Sequence, residues 1–276
     1  MKKTIAIFLF LGMLAASCSK SSNDDAFVDP CGGTSPGGLV SLLITPEDDI
    51  KMGEQTRDYI ESDSSGMKVM DSILYVAAYR HIYRIRDSIL NSGKVYYKKT
   101  FPWRIRLIKD DSTLNAFCTP GGFIYVYTGI IKYLDNETQL AGVMGHEIAH
   151  ADRRHSANQM IKQYGVAGLL GILTGGNPGQ LTTLATNLLL LKYSRDHERE
   201  ADDYSVRFLY PTVYDPRGAK YFFEKIGSSG VPKFISTHPD PGNRVTAIEQ
   251  KWNCLGGRTD GQTFDARYQD FKNSLN

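Results

Sequence analysis

Two histidines four residues apart with a glutamate directly after the first, His146-Glu147-Ile148-Ala149-His150, have the residue types and spacing to hold one divalent cation beside a base. On a helix, that spacing puts both imidazoles on one face about one turn apart, where they can share an ion. Glu147 projects from the same turn, within reach of the proton of an attacking water. With only six histidines in 276 residues, roughly 0.004 occurrences of the pattern are expected by chance. The bland alternative, a helix that happens to carry two surface histidines and a glutamate, is correspondingly weak.

Zinc needs a third protein ligand and a coordination position left for water. A metzincin places a histidine six residues after the second one of the motif, but Ser156 stands there and Arg153 replaces the required glycine. His155 falls one residue short of that position and is read as structural. The gluzincin solution is a glutamate on a later helix with an aspartate one turn beyond it. Ser194 to Asp202 supplies that pair. Glu198 is the expected third ligand and Asp202 the carboxylate that accepts an N–H from a ligating histidine and so fixes its tautomer. Glu200, between them, points away. Alone, this acidic stretch would read as an exposed charged helix.

The elements that position these residues follow from pattern. Pro46-Glu47-Asp48-Asp49 opens a helix with acids in its first turn. A second helix is predicted from about Val69 to Ser92, with Val69, Ile73, Val76, Ala77 and Ile82 at helical spacing. Arg104–Lys109 alternates polar and apolar, Asp110-Asp111 supplies a turn, and Phe123–Tyr127 is a second strand. The motif helix starts near Asn136 and presents Leu140, Val143, Met144 and Ile148 to a core. Helices separated by Gly and Pro breaks continue to the end, which gives an α+β domain. Val166–Thr174 and Leu181–Leu191 are apolar but too short to span a membrane; buried core helices are favoured over a membrane-dipping hairpin.

Composition limits the alternatives. A chain that is 41% hydrophobic can bury a sizeable core. Lys2 and Lys3 account for the whole formal charge of +2, so nothing in the remainder argues for nucleic acid. Residues 1–17 read as a signal peptide, with a basic start, an apolar stretch from Ile5 to Met13 and small residues before Cys18. Leu14 to Cys18 resembles a bacterial lipobox, which implies acylation of Cys18 and a tether to the membrane; simple secretion is the alternative. Residues 18–45, rich in Ser, Gly, Asp and Pro, read as a flexible tether, and 46–276 as the folded domain. In an oxidising compartment Cys31 and Cys254 are the expected pair, leaving Cys118 as a buried thiol.

Four ordered motifs resemble the HtpX-like and CAAX-prenyl-protease-type zinc metallopeptidases, in particular their soluble BepA-like periplasmic branch. They are the HExxH, the Ser194–Asp202 string, Asn115 through Gly122, and Thr237-His238-Pro239 followed by Arg244. The resemblance covers most of the chain after Pro46. It implies a mainly helical gluzincin domain with a small β-sheet whose edge strand borders the active site. Asn115, Gly121 and Gly122 match that strand region, which would hold an extended substrate by main-chain hydrogen bonds; an ordinary hairpin connection explains the two glycines equally well on local grounds. By the same resemblance His238 either donates to a developing oxyanion or caps the zinc at rest, and Arg244 braces its loop.

These readings converge on a zinc endopeptidase with one Zn2+ per chain held by His146, His150 and Glu198, with Glu147 and His238 as the catalytic candidates. Its partners are polypeptide substrates, the membrane through lipid on Cys18, and envelope-assembly machinery. The expected place is the outer membrane, facing the periplasm, and the expected role is removal of misassembled envelope proteins. The rival is a chaperone-like lipoprotein that holds unfolded chains with little cleavage; a purely structural envelope protein would carry no stoichiometric zinc.

Overall fold

In the computed structural model, which describes residues 31–33, 36, 38, 40–229, 238 and 243–276, the helical N-terminal region is organised around Thr45. Its hydroxyl accepts the Asp48 N–H at 3.2 Å while the Asp48 carboxylate accepts the Thr45 N–H at 2.9 Å. This capping box, with Pro46 in the first turn, starts α2 (Pro46–Ile60) where the sequence placed a helix. The short α1 (Val40–Leu43) precedes it, and Val40 and Ile44 are buried. These two residues lie within the span read as a tether. The expected signal peptide and Cys18 lie outside the described residues.

The second helix is shorter than its apolar spacing predicted. α3 runs from Val76 to Leu90, burying Ala78, Tyr79, Ile82, Ile85 and Ile89. Val69 instead forms a bridge with Ile108, flanked by hydrogen bonds from the Met70 N–H to the Leu107 carbonyl and from the Lys109 N–H to the Lys68 carbonyl, each 2.8 Å. Asp71 then accepts the N–H groups of Ile73 and Leu74 at 2.6 and 3.2 Å, a local turn that competes with helix.

Three strands make the sheet: β1 (Arg104–Ile108), β2 (Ala116–Thr119) and β3 (Phe123–Tyr127), in the order β1-β3-β2. β3 is the middle strand, parallel to β1 and antiparallel to β2, which explains its unbroken run of large apolar and aromatic residues. The sequence pattern gave β1 and β3; β2 lies in the stretch noticed only for its family motif. β2 is an edge of this sheet among the described residues.

After the sheet the chain is helical: α4 (Thr128–Tyr133), α5 (Glu137–Asp152), α6 (His155–Gly175), α7 (Pro178–Leu189), α8 (Arg195–Leu209), α9 (Gly218–Ser229), α10 (Arg244–Cys254) and α11 (Asp265–Asn273). The architecture is α+β, mainly helical. Every residue of α5 is buried, so this helix is the axis of the domain. Two glycines let its neighbours approach. A Cβ on Gly142 would lie 2.0 Å from the Ala219 nitrogen at the start of α9, and one on Gly145 would lie 2.8 Å from Ser205 Oγ on α8.

α6 and α7 bury only one face each, through Met160, Leu169 and Leu173 and through Leu184, Ala185 and Leu188, against Val40, Ile44 and Met52. The two apolar runs are thus half-buried rather than fully internal, and Leu190 is exposed. Among the described residues, no helix is long and apolar enough to cross a membrane. Cys31 and Cys254 are both disulfide-bonded, and Cys118 is a free buried thiol.

Candidate metal centre

Asn136 caps α5 by accepting the Gln139 N–H at 3.0 Å, and the helix carries His146, Glu147 and His150 into the middle of the protein. Ser194 caps α8 in the same way through the His197 N–H, so Glu198 and Asp202 sit one turn apart on the face that packs against α5. His238 arrives from the segment before α10. Ligand atoms of His146, His150, Glu198 and His238 all lie within 4.8 Å of one another, and all four residues are buried.

Several of the spacings approach those of a tetrahedral set. Zinc–nitrogen distances of about 2.0–2.1 Å put neighbouring donors of a regular tetrahedron about 3.3–3.4 Å apart. Here His146 Nε2 is 3.0 Å from His150 Nε2, 3.3 Å from His238 Nδ1 and 3.4 Å from Glu198 Oε2. Glu198 Oε1 is 3.4 Å from His150 Nε2 and 3.1 Å from His238 Nδ1.

Polar satisfaction points the same way. Glu198 Oε2 makes no oriented hydrogen bond although fully buried, and neither oxygen of Glu147 makes one. Groups of this kind are costly unless a cation or its water shell answers them. The local field also favours positive charge. Burial by itself would lower His146, yet the carboxylates of Asp202 and Glu198 outweigh it and hold the imidazole up at about 9. Burial would likewise raise Glu198, but the imidazoles of His238, His146 and His150 keep it well below the usual carboxylate range. His150 is pushed down by burial and by His146, and Glu147 is pushed up by burial. Three imidazoles, one ionised carboxylate and a buried base fit a borderline divalent ion such as zinc.

Around the donors, the support is specific. Asp202 Oδ1 lies 2.9 Å from His146 Nδ1, the contact expected of it. Arg244 grips that carboxylate with Nε at 2.7 Å and Nη2 at 2.6 Å, and Nη2 stands 3.2 Å from Glu198 Oε2. Sequence reasoning assigned Arg244 to bracing the loop around His238, most of which lies outside the described residues; among those described it is the buried counter-charge of Asp202, its guanidinium 3.7 Å from the centre of the Phe223 ring. Tyr193 was missed altogether. Its ring stacks on His150 with centroids 3.9 Å apart, and its hydroxyl lies 2.8 Å from Ser156 Oγ. Position directly before the α8 cap was its only signal.

β2 packs against α5 and approaches the centre at Cys118, whose Sγ is 3.6 Å from the Tyr193 hydroxyl. The Asn115 carbonyl accepts the Tyr127 N–H at 3.1 Å, while its buried side-chain oxygen makes no hydrogen bond. Gly121 and Gly122 stand elsewhere. Both have positive φ in the β2–β3 turn, where a Cβ on Gly121 would meet the Ile50 Cα at 2.6 Å and one on Gly122 the Trp103 ring at 3.0 Å. Their neighbours are α2 and aromatic core, not the donors, so the ordinary hairpin explanation is the one the geometry supports.

Comparison with known proteins agrees with this arrangement. The family model described as peptidase family M48 matches residues 80–251, more than half of the chain. The chain is 34% identical over 152 residues to the mitochondrial metalloendopeptidase OMA1 of Arabidopsis thaliana, which covers 54% of this chain and 31% of that protein. It is 27% identical over 273 residues to the beta-barrel assembly-enhancing protease of Escherichia coli strain K12, covering 92% and 53%. With the protease of the same name from Yersinia pestis the figures are 31% over 172 residues, covering 56% and 35%. The chain thus spans 31 to 53% of these relatives' length. The matched family span begins in α3 and ends in α10, taking in every donor of the centre, and the chain belongs to peptidase family M48.

Proposed function

We propose that this protein is a zinc-dependent endopeptidase that hydrolyses misfolded or misassembled proteins of the bacterial cell envelope. The observation that carries the reading is Glu147, a fully buried carboxylate with no hydrogen bond on either oxygen, beside a four-donor cluster. His146, His150 and Glu198 would hold the ion. When bound, zinc supplies Lewis acidity, polarising the scissile carbonyl and acidifying the attacking water. Glu147, its pKa raised by burial, takes the proton of that water and returns it to the leaving amine. β2, an edge strand one residue removed from His150, offers the main-chain groups that would hold an extended polypeptide.

The substrate class rests on resemblance to the beta-barrel assembly-enhancing proteases, by name, and on the signal peptide and lipobox read at residues 1–18. Lipid on Cys18 would tether the enzyme to the outer membrane on the periplasmic side, near envelope-assembly machinery.

One observation favours a latent form of the same protein. His238 Nδ1 takes the fourth donor position, and its Nε2 is 3.5 Å from Glu147 Oε1, so the ring stands where an attacking water would sit. That suits a cap at rest better than an oxyanion donor. Metal content and casein degradation, measured with and without a chelator for wild type and His238→Ala, test both readings. One zinc per chain, chelator-sensitive cleavage and faster cleavage by His238→Ala are expected. Absence of zinc overturns the endopeptidase reading, and slower cleavage by the variant overturns the cap.

A further inference from the structure

The two histidines of the motif are supported unequally. His146 has a buried carboxylate, Asp202, on the nitrogen turned away from the donors. His150 has none: its Nδ1 lies 2.9 Å from Nδ1 of His155, and the second ring nitrogen of His155 lies 3.0 Å from Glu200 Oε2. We propose that His155, held by Glu200, is the positioning residue for His150, fixing the tautomer in which His150 offers Nε2 to the metal.

The direction of this chain follows from bond counting. His150 Nε2 is the atom among the donors, so ligation through it leaves the ring's proton on Nδ1. Two ring nitrogens in contact share only one proton, so His155 accepts at Nδ1 and carries its own proton on Nε2. That proton is donated to Glu200, whose other oxygen accepts from Arg153 Nε at 2.9 Å. Each group therefore has one role, running from His150 through His155 to a carboxylate that is 30% exposed. A carboxylate or carbonyl ordinarily receives a ligand's N–H directly; here an imidazole is interposed.

The rings have little freedom to abandon the arrangement. His155 is 2% exposed and stacks on His197, with centroids 4.3 Å apart and planes 11° from parallel. Tyr193 covers a face of His150 at 3.9 Å. The turn between α5 and α6 makes the contact possible: Arg154 adopts the left-handed conformation with φ of 58°, which reverses the chain and starts α6 at His155. Arg154 is buried against Asp49, its Nε donating to Oδ2 at 2.6 Å, so the turn is locked.

The inference rests on the metal-site reading, and the experiment separates the two. Zinc affinity is measured on the full chain by competition with a chromophoric chelator, alongside the visible spectrum of the cobalt(II)-substituted protein and the thermal melt of the metal-free form. His155→Leu should weaken zinc about 10- to 100-fold and shift the cobalt bands, with the metal-free melt close to wild type. His155→Asn, which keeps an acceptor where Nδ1 stands, should restore most of the affinity. Glu200→Ala, at a position 30% exposed, should fall between wild type and His155→Leu, and it decides the matter alone if His155→Leu does not fold. Wild-type affinity with an unchanged cobalt spectrum in the folded variants overturns the relay and leaves the metal site standing. A wild-type chain that takes up no zinc overturns both.

Discussion

Glu137 and Glu198 are both glutamates with no solvent exposure, yet their oxygens are treated in opposite ways. Glu137, in the first turn of α5, receives the Tyr214 hydroxyl at 2.6 Å, Arg84 Nη2 at 2.6 Å and Arg267 Nε at 2.9 Å, with Arg267 Nη2 closing the fork on the other oxygen. It ties α3, the segment after α8, and α11 to the axis of the domain. Glu198 stands among three imidazoles and has an oxygen with no oriented hydrogen bond. Burial and charge are common to both, so neither identifies function. What differs is acceptor capacity: the knot at Glu137 is complete within the protein, whereas Glu198, with only Arg244 Nη2 at 3.2 Å from its Oε2, stands in a cluster that could hold a metal ion.

Four measurements put pressure on that contrast. The largest effect belongs to the group with most unused capacity. Glu147→Gln should cut hydrolysis by about 10²- to 10⁴-fold while the protein keeps its zinc, and undiminished cleavage would remove the residue from the chemistry. Next is stability. Glu137→Ala strands two arginines and should cost about 3–5 kcal/mol in denaturant unfolding. Glu198→Ala should abolish zinc uptake yet leave the metal-free chain closer to wild type than Glu137→Ala does. The reverse order of stabilities would break the comparison. Third, Asp202→Ala should weaken zinc about 10- to 100-fold through His146, with equal affinity in the variant speaking against any orienting role.

The smallest effect is on pH dependence. Burial would raise Glu137, but its hydrogen bonds from Arg267, Arg84 and Tyr214 leave its pKa lowered below the ordinary 4.5. The folded protein then binds fewer protons than the unfolded chain below that value. The stabilisation is present in full above about pH 4.5 and fades as pH falls through the folded-state pKa. Glu137→Gln should therefore flatten the acid side of the stability profile; an unchanged slope would mean that other carboxylates set it.

Legibility in the sequence differed from element to element for physical reasons. α2 and α5 were placed correctly because their caps are local: Thr45 with Asp48, and Asn136 with Gln139, are three residues apart. α3 was overextended because Val69 fits a helical stripe in sequence, whereas its partner is Ile108 in β1. β2 carried no alternation strong enough to outweigh its neighbours, and its pairing with β3 is a tertiary fact. Glycines behaved similarly. Gly121 and Gly122, read equally as a substrate-side device and as an ordinary hairpin connection, have positive φ in the β2–β3 turn, while Gly142 and Gly145, unremarkable in sequence, let α8 and α9 approach the motif helix.

The sequence by itself determined the chemistry on offer. Spacing of four along a helix fixes which side chains share a face, so His146 with His150 and Glu198 with Asp202 could be paired without coordinates. It could not determine what approaches those faces from elsewhere in the chain. That His155 stands against His150, that Arg244 neutralises Asp202, that Tyr193 covers His150 and that His238 Nδ1 comes 3.3 Å from His146 Nε2 were all decided by packing. Such contacts depend on helix crossings, on one left-handed turn at Arg154 and on close approach at two glycines, none of which leaves a periodic trace in the sequence.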